Sequence, residues 1–173
     1  GKTTITNSGT ITSLGGVAIV TSGTANVTNA RSRTINGDIR LAVDTPQAPA
    51  STFLNNGDFS PGTTIFLGGN GSILTNSGYM DLTAPVYGQY DTTRLTGQFV
   101  QTADGTTIFG LDFKAGKNDV LSVSGATRFG GEIDFDTQNP LKGRSLTIAH
   151  FDQGAQSFTA KMGDLNGLPI TYA

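Results

Sequence analysis

Residues 74–80 read LTNSGYM, and this stretch decides the fold because variants of it recur along the first half of the chain. The related segments are ITNSGTI at residues 5–11, VTNARSRTI at residues 27–35, LNNGDF at residues 54–59 and a degenerate LTGQFV at residues 95–100. Their starts are 22, 27, 20 and 21 residues apart. Repeat periods of about 20–50 residues are typical of solenoids, in which each repeat forms one coil.

The repeats predict a right-handed parallel β-helix. Between them lie short apolar runs, such as GVAIV at residues 16–20 and TTIFLG at residues 63–68. We expect Ile, Leu, Val and Phe to point inward and to stack about 4.8 Å from the same positions of the next coil. We attribute the Asn-x-Gly corners to the tolerance of Asn and Gly for positive φ. The alternative is a β-sandwich with polar turns, whose strands are usually longer and alternate clearly.

The composition agrees with a solenoid and excludes several classes of partner and site. Gly, Ser, Thr and Asn supply 73 of the 173 residues, which favours strands broken by tight turns. Charged residues make up 14% of the chain and the net charge is -2, so we expect no nucleic-acid partner. The chain has no Cys, which excludes disulfides and thiolate metal sites. No signal peptide opens the chain and no apolar run matches a membrane helix, so we expect a piece of a longer protein.

The second half carries a different pattern, from which we predict a hairpin-rich region. TTIFGLDF at residues 106–113 places three large apolar side chains on one face of a strand. KAGKND at residues 114–119 is a turn, and VLSVSG at residues 120–125 is expected to run back beside the first strand. GGEIDFD at residues 130–136 alternates strictly between polar and apolar residues. The expected fold class is therefore all-β: a right-handed parallel β-helix capped by a C-terminal hairpin-rich β region.

Residues 97–135 read GQFVQTADGTTIFGLDFKAGKNDVLSVSGATRFGGEIDF. They contain, in order, a Gly-x-aromatic-x-Gln step, a Thr-x-Asp-Gly-Thr turn, a strand with an acidic residue, a loop ending in Asp, a Leu-x-Val-x-Gly strand and a Gly-Gly hairpin. This order resembles the C-terminal passenger segment of bacterial autotransporters, the type V secreted proteins. The residues that carry the resemblance are Gly97, Phe99, Gln101, Ala103, Asp104, Gly105, Thr106, Asp112, Asp119, Leu121, Val123, Gly125, Gly130 and Gly131.

The resemblance implies two parts: β-helix coils of the passenger stalk in residues 1–96, and an autochaperone or capping region in residues 97–173. The implied function is a non-catalytic structural and folding module that nucleates and caps the β-helix during translocation across the outer membrane. The implied location is the cell surface or the extracellular space of a Gram-negative bacterium, attached to or released from the outer membrane. The parent would be a virulence factor or adhesin.

The resemblance also implies partners and one alternative function. The partners would be the chain's own translocator β-barrel, which is absent from this chain, and a host-cell protein or matrix. In the alternative, the passenger carries a hydrolase, protease or polysaccharide-degrading activity that is located outside this fragment. No cofactor is expected for the fragment itself.

The two parts would depend on each other for folding. A lone coil loses more backbone entropy than its few inward apolar residues return, so solenoid folding is limited by nucleation. A hairpin-rich segment with larger hydrophobic residues can form from local contacts, offer the first template and cover the exposed edge of the stack. The residues predicted to form this folding and capping core are Phe99, Phe109, Leu111, Phe113, Val120, Leu121, Val123, Phe129, Ile133 and Phe135.

The acidic residues and the histidine do not predict a catalytic or metal site. Glu132, Asp134 and Asp136 share one strand face, where an acid/base pair or a calcium site is one interpretation and a solvated outer face is the favoured one. His150 is the only histidine. A single histidine cannot form a two-histidine zinc site, and no Gly-x-Ser-x-Gly elbow accompanies it.

Three tyrosines form the candidate binding patch. Tyr79, Tyr87 and Tyr90 lie around the segment APVYGQYD. Exposed tyrosines suit protein interfaces, so a host ligand could contact them. Packing of the same side chains in a coil corner is the alternative interpretation.

Overall fold

The structure, a computed structural model, describes residues 1–44, 49–69, 71–83, 89–139, 145–152 and 156–162. Within these ranges the chain forms nineteen β-strands and no helix. The strands are β1 (Thr3–Asn7), β2 (Thr10–Val20), β3 (Ala25–Asn29), β4 (Thr34–Arg40), β5 (Thr52–Asn55), β6 (Asp58–Ser60), β7 (Thr64–Phe66), β8 (Ile73–Asn76), β9 (Tyr79–Asp81), β10 (Thr92–Thr96), β11 (Gln98–Gln101), β12 (Thr106–Asp112), β13 (Lys117–Asn118), β14 (Val120–Val123), β15 (Thr127–Phe129), β16 (Glu132–Gln138), β17 (Ala149–Phe151), β18 (Gln156–Phe158) and β19 (Lys161–Met162).

Two parallel sheets wind the strands into a solenoid. The first sheet has seven strands in the order β1-β3-β5-β8-β11-β15-β18, so each neighbour lies one coil further along the chain. The second sheet has twelve strands and divides at β4, which pairs with β6 near its start and with β7 near its end. The prediction of a parallel β-helix is confirmed. We number the coils by the first-sheet strand that begins them, from coil 1 (β1) to coil 7 (β18).

The core consists of side chains stacked on their counterparts in neighbouring coils. In the first sheet, Val27 pairs with Phe53, Phe53 with Leu74 and Leu74 with Phe99. All four side chains are at most 1% exposed. Parallel strands about 4.8 Å apart force equivalent positions into contact, so one inward position produces a continuous apolar column along the solenoid.

Beside this column runs a column of buried side-chain amides, which we call the amide ladder: Asn7, Asn29, Asn55, Asn76 and Gln101. The Nδ2 group of each Asn donates to the amide oxygen of the next member, at 2.9, 2.9, 2.8 and 3.4 Å in chain order. All five side chains are at most 4% exposed. Because buried polar groups are strongly destabilising unless they are paired, each coil must place its amide against its neighbour, and the ladder fixes the register of the coils.

The amide ladder corrects the repeat register expected from the sequence. Its members are 22, 26, 21 and 25 residues apart. Phe53, and not Leu54, therefore stacks on Val27. The fifth repeat does not begin at Leu95, because Leu74 pairs with Phe99. The first error is a choice between two adjacent apolar residues, and the second arises because Gln101 lies 25 residues after Asn76, whereas Asn76 lies 21 residues after Asn55.

The expectation of positive φ at the Asn-x-Gly corners is also wrong. Among the described residues that are not glycine, only Ser32, Ala42 and Asn139 have positive φ. The asparagines of these corners instead turn their amides into the core. Their glycines are needed for space, because a Cβ on Gly78 would collide with the carbonyl oxygen of Gly57 in the preceding coil.

Five glycines, which we call the glycine column, lie at the corner between the two sheets: Gly9, Gly57, Gly78, Gly105 and Gly131. Only two or four residues separate a first-sheet strand from the following second-sheet strand at this corner. The carbonyl oxygen of Gly57 accepts the N–H of Tyr79 at 2.9 Å, and that of Gly78 accepts the N–H of Thr106 at the same distance. Each corner is thus bonded directly to the corner of the next coil. A side chain at Gly57 or Gly78 would push two coils apart.

The hairpin-rich C-terminal region is corrected to a continuation of the solenoid. Strands β12, β14 and β15 pair in parallel with strands of the preceding and following coils. In the described part of the chain after residue 96, one short antiparallel pair is present, between β12 and β13. The first sheet also continues from β8 to β11 across the expected boundary between residues 96 and 97. The division of the chain into stalk and cap stays a prediction.

Substitution of two equivalent corner glycines tests the glycine column. We expect Gly78→Ala to lower the free energy of unfolding by more than about 2 kcal/mol, because its Cβ would meet the backbone of the preceding coil. Gly9→Ala is the matched control: nothing lies within 4 Å of a Cβ there, so we expect a change within about 0.5 kcal/mol. Urea unfolding followed by circular dichroism measures both. Equal effects of the two substitutions would contradict the steric explanation.

Candidate functional site

The predicted folding and capping core is largely buried. Phe113 is the most exposed of eight predicted members, at 5%. Phe135 is partly buried and packs against the cluster. The eight buried members are Phe99, Phe109, Leu111, Phe113, Leu121, Val123, Phe129 and Ile133. These residues come from β11 to β16, so coils 5 and 6 contain a continuous apolar interior.

Val120 is the exception and is corrected. Successive side chains of a strand point to opposite sides. Leu121 and Val123 of β14 face inward, so Val120 faces outward, and it is half-buried. Val120 was predicted to lie in the core because it is apolar. The alternation of β14 places it on the outer face instead.

An aromatic stack crosses coils 5 and 6. The ring centroids of Phe99 and Phe129 lie 5.0 Å apart in an edge-to-face arrangement, and those of Phe129 and Phe151 lie 6.1 Å apart. Phe129 occupies the position that Gln101 holds one coil earlier. The buried column therefore changes from amides to aromatic rings between coils 5 and 6. Such ring pairs contribute roughly 0.5–1.5 kcal/mol each beyond the burial of their surface.

Gln101 is the junction between the two columns, and sequence reasoning missed this role. Its Oε1 accepts from Asn76 Nδ2 at 3.4 Å. Its Nε2 donates to the carbonyl oxygens of Gly130 at 2.6 Å and Glu132 at 2.8 Å. Coil 6 has no amide at the ladder position, so the backbone carbonyls of coil 6 accept the two N–H groups of Gln101 instead. The sequence did contain a signal for this role. In both LTN (residues 74–76) and FVQ (residues 99–101), a side-chain amide follows two residues after an inward apolar residue.

Asp119 joins the loop before β10 to strand β12. Its Oδ1 accepts the N–H of Asp91 at 3.0 Å, and its Oδ2 accepts the N–H of Gly110 at 2.8 Å. The residue is 1% exposed. Burial raises the pKa of the Asp119 carboxyl to about 6, the two N–H donors oppose this shift, and the charges of Asp91 and Asp81 add to it. A buried carboxylate therefore holds the loops of coils 4 and 5 together.

Two surface depressions lie near these elements. One, of about 660 Å³, follows the corner of coils 5 and 6 and is lined by residues 100–106, by Arg128 and by residues 130–132. Thr159 and Lys161 complete its lining. The other, of about 650 Å³, lies between the loops of coils 4 and 5 and is lined by residues 89–91 and 116–118. Both combine charges of opposite sign with amides and hydroxyls, a mixture that does not by itself specify a ligand.

The acidic residues and the histidine considered in the sequence lie on the surface. Glu132, Asp134 and Asp136 are exposed along one side of β16, while Ile133 and Phe135 alternate toward the core. His150 is exposed on β17. In the described ranges, no group of three or more His, Cys, Asp or Glu side chains is placed to hold a metal ion.

The tyrosines differ in exposure. Tyr79, on β9, is 57% exposed. Tyr90 is partly buried, and its ring lies beside Gly110. Gly110 is four residues along β12 from Thr106, which pairs with Tyr79, so the two tyrosines contact different parts of this strand. Tyr87 lies outside the described residues. The binding patch stays a prediction in which Tyr79 is the exposed member.

Comparison with protein-family models, with curated proteins and with solved structures finds no match for this chain. In the described part of the chain, no helix has the length and apolar character needed to cross a membrane. The fold and the contacts of the residues themselves are therefore the basis for the proposals that follow.

The pKa of Asp119 predicts how stability changes with pH. Between about pH 4 and pH 6 the folded chain keeps a proton that the unfolded chain has released, because the pKa is raised from 3.8 to about 6. This stabilising contribution is greatest below about pH 4 and is lost as the pH rises through about 6. We expect Asp119→Asn to remove this part of the pH dependence, measured by urea unfolding at intervals across that range.

The control is Asp104→Asn, because Asp104 is exposed. This variant should keep the pH dependence of the unmodified chain. A ¹³C NMR titration of the Asp119 carboxyl measures the same pKa directly. A midpoint near the ordinary Asp value of about 3.9 would contradict the assignment.

Proposed function

We propose that this chain is a non-catalytic structural and folding module of a secreted autotransporter passenger. In this proposal residues 97–173 nucleate and cap the solenoid, and residues 1–96 grow from them as stalk coils. The site of action would be the bacterial cell surface, where the chain folds as it emerges beside its own translocator barrel. The passenger's virulence or adhesion role is part of the same proposal.

The observation that carries this proposal is the aromatic stack of Phe99, Phe129 and Phe151. All three rings belong to residues 97–173, so the stack does not require coils 1 to 4. A template must form before the coils that it templates, and a cluster of large side chains within one segment gives that segment contacts of its own. The amide ladder, in contrast, is completed only where Asn76 reaches Gln101. Coils 1 to 4 thus end on a residue of the proposed template.

Two fragments test the proposed template. Residues 97–173 should fold alone, whereas residues 1–96 should be largely unfolded by circular dichroism and rapidly digested by protease, because they lack both Gln101 and the aromatic stack. Mixing the fragments should restore strand signal. A cooperative, protease-resistant fold of residues 1–96 alone would overturn the proposal.

An adhesive role is the second candidate, and the exposure of Tyr79 favours it. Tyr79 is 57% exposed and pairs with Asp58 and Thr106 on the neighbouring strands, so its side chain is available for contact with a partner. We expect Tyr79→Ser to reduce binding of the chain to host cells or matrix at least about tenfold while the melting temperature changes little. Thr106→Ser, at the paired position on β12, is the control. Unchanged binding by the Tyr79 variant would remove this candidate.

A further inference from the structure

The amide ladder has a direction. The Nδ2 group of each Asn faces two acceptors of the coil that follows it in the chain. Asn29 donates to Oδ1 of Asn55 at 2.9 Å and to the carbonyl oxygen of Asp58 at 2.9 Å. Its own Oδ1 accepts from Asn7, in the preceding coil. Donors therefore point toward the C-terminal end of the solenoid, and acceptors point toward the N-terminal end.

The backbone fixes this direction in every coil of the ladder. Nδ2 of Asn7 donates to the carbonyl oxygen of Thr34 at 2.9 Å, that of Asn55 to Tyr79 at 2.9 Å and that of Asn76 to Thr106 at 3.0 Å. A carbonyl oxygen can only accept, so the side-chain atom that faces it must be the nitrogen. Turning any one amide over would oppose two acceptors in a buried site.

The two ends of the amide ladder are finished differently. At the N-terminal end, Asn7 has both donors satisfied, and its Oδ1 accepts the N–H of Gly9 in its own turn at 3.0 Å. A carbonyl oxygen has two lone pairs, so this Oδ1 can accept a second donor. At the C-terminal end, the donors of Gln101 are taken by backbone of coil 6. The N-terminal end of the ladder can therefore accept a hydrogen bond from another amide, whereas the C-terminal end has no donor left to offer.

We propose that the N-terminal edge of a partly folded stack is the docking surface for the preceding coil of this chain, and that the amide of the incoming coil is the group it recognises. The surface consists of the amide oxygen, held in place by its own two donor bonds, and the inward apolar side chain two residues before it. This proposal rests on the proposed function, to which it adds a mechanism for the direction of growth. Coil 4 docks on coil 5 through Asn76 and Gln101, and coils 3, 2 and 1 follow.

Growth at the opposite edge is disfavoured by the same bonds. An amide at a C-terminal edge has two donors and no following coil to receive them. The carbonyl oxygen of Arg33 in the same coil can receive one proton of Asn29, at 3.0 Å, and the other has no partner in its own coil. The terminal amide is then less ordered and offers a poorer template, since fixing a side chain during docking opposes association.

A second copy of the chain fits this edge poorly. Two N-terminal edges brought together would place one Asn7 oxygen against another, and two buried acceptors cannot bond. The coils at the other end carry Phe129 and Phe158 at the ladder position, and neither residue has an amide to donate. The docking surface is thus specific for an amide-bearing coil in one orientation.

Refolding of the full chain with pulsed hydrogen exchange tests the inference. Amides of β11 should become protected first, followed by those of β8, β5 and β3. Asn76→Leu removes the first amide that docks on Gln101 and keeps the same number and branching of side-chain heavy atoms. We expect it to delay protection of β5 and β3 about tenfold while β11 and β15 keep their rate. Asn7→Leu, the matched control in the last coil to dock, should delay no other coil more than about twofold.

The outcomes separate this inference from the proposed function. Should β1 or β3 become protected before β11 in the unmodified chain, the C-terminal template itself is wrong. If the order holds but Asn76→Leu slows all strands equally or none, the template stands and the docking role of the amide is overturned. If Asn76→Leu does not fold, Asn76→Ser replaces it, with the same selective delay of β5 and β3 expected.

Discussion

The spacing of parallel strands, about 4.8 Å, is the constraint on which the rest of this structure depends. At that distance each inward side chain touches its counterpart in the next coil, and each corner touches the next corner. An apolar column tolerates exchange between Val, Phe and Leu, as in β3, β5 and β8. A buried amide does not, because its donors require acceptors at one position and in one orientation. Polar contacts therefore define the register, and apolar contacts supply most of the burial.

The change from Gln101 to Phe129 separates two ways of filling the same position. Up to coil 5 the position holds hydrogen-bonded amides, which tie each coil to the next through one polar group. In coil 6 it holds a ring that packs on Phe99 and Phe151. The rings pack across coils 5 and 6 without the exact donor–acceptor geometry that an amide requires of its partner. Aromatic packing therefore suits a segment that must form early. The amide ladder suits coils that add to a neighbour that has already formed.

The sequence predicted the architecture because its repeat period is a property of the coil. Alternation in β12 and β16 also placed the inward residues correctly. Alternation has the same period in parallel and antiparallel strands, however, so it could not reveal that β14 pairs with β10 and β17 rather than with β12. The amide ladder was missed because Asn close to Gly in a sequence is equally typical of an ordinary turn. Only contacts between coils distinguish a buried Asn55 from an ordinary turn residue.

The tight corner at the glycine column has a consequence for how such a protein can change. No more than four residues join the two sheets there, whereas eleven residues separate β4 from β5 in the sequence and ten separate β9 from β10. Residues inserted at this tight corner would move the side-chain amides of adjacent coils out of hydrogen-bonding distance. Added length elsewhere leaves the column untouched and only enlarges a loop. A lineage of such solenoids can therefore acquire new surface loops, or accept grafted peptides, at two of its edges while the third is held to a nearly constant length.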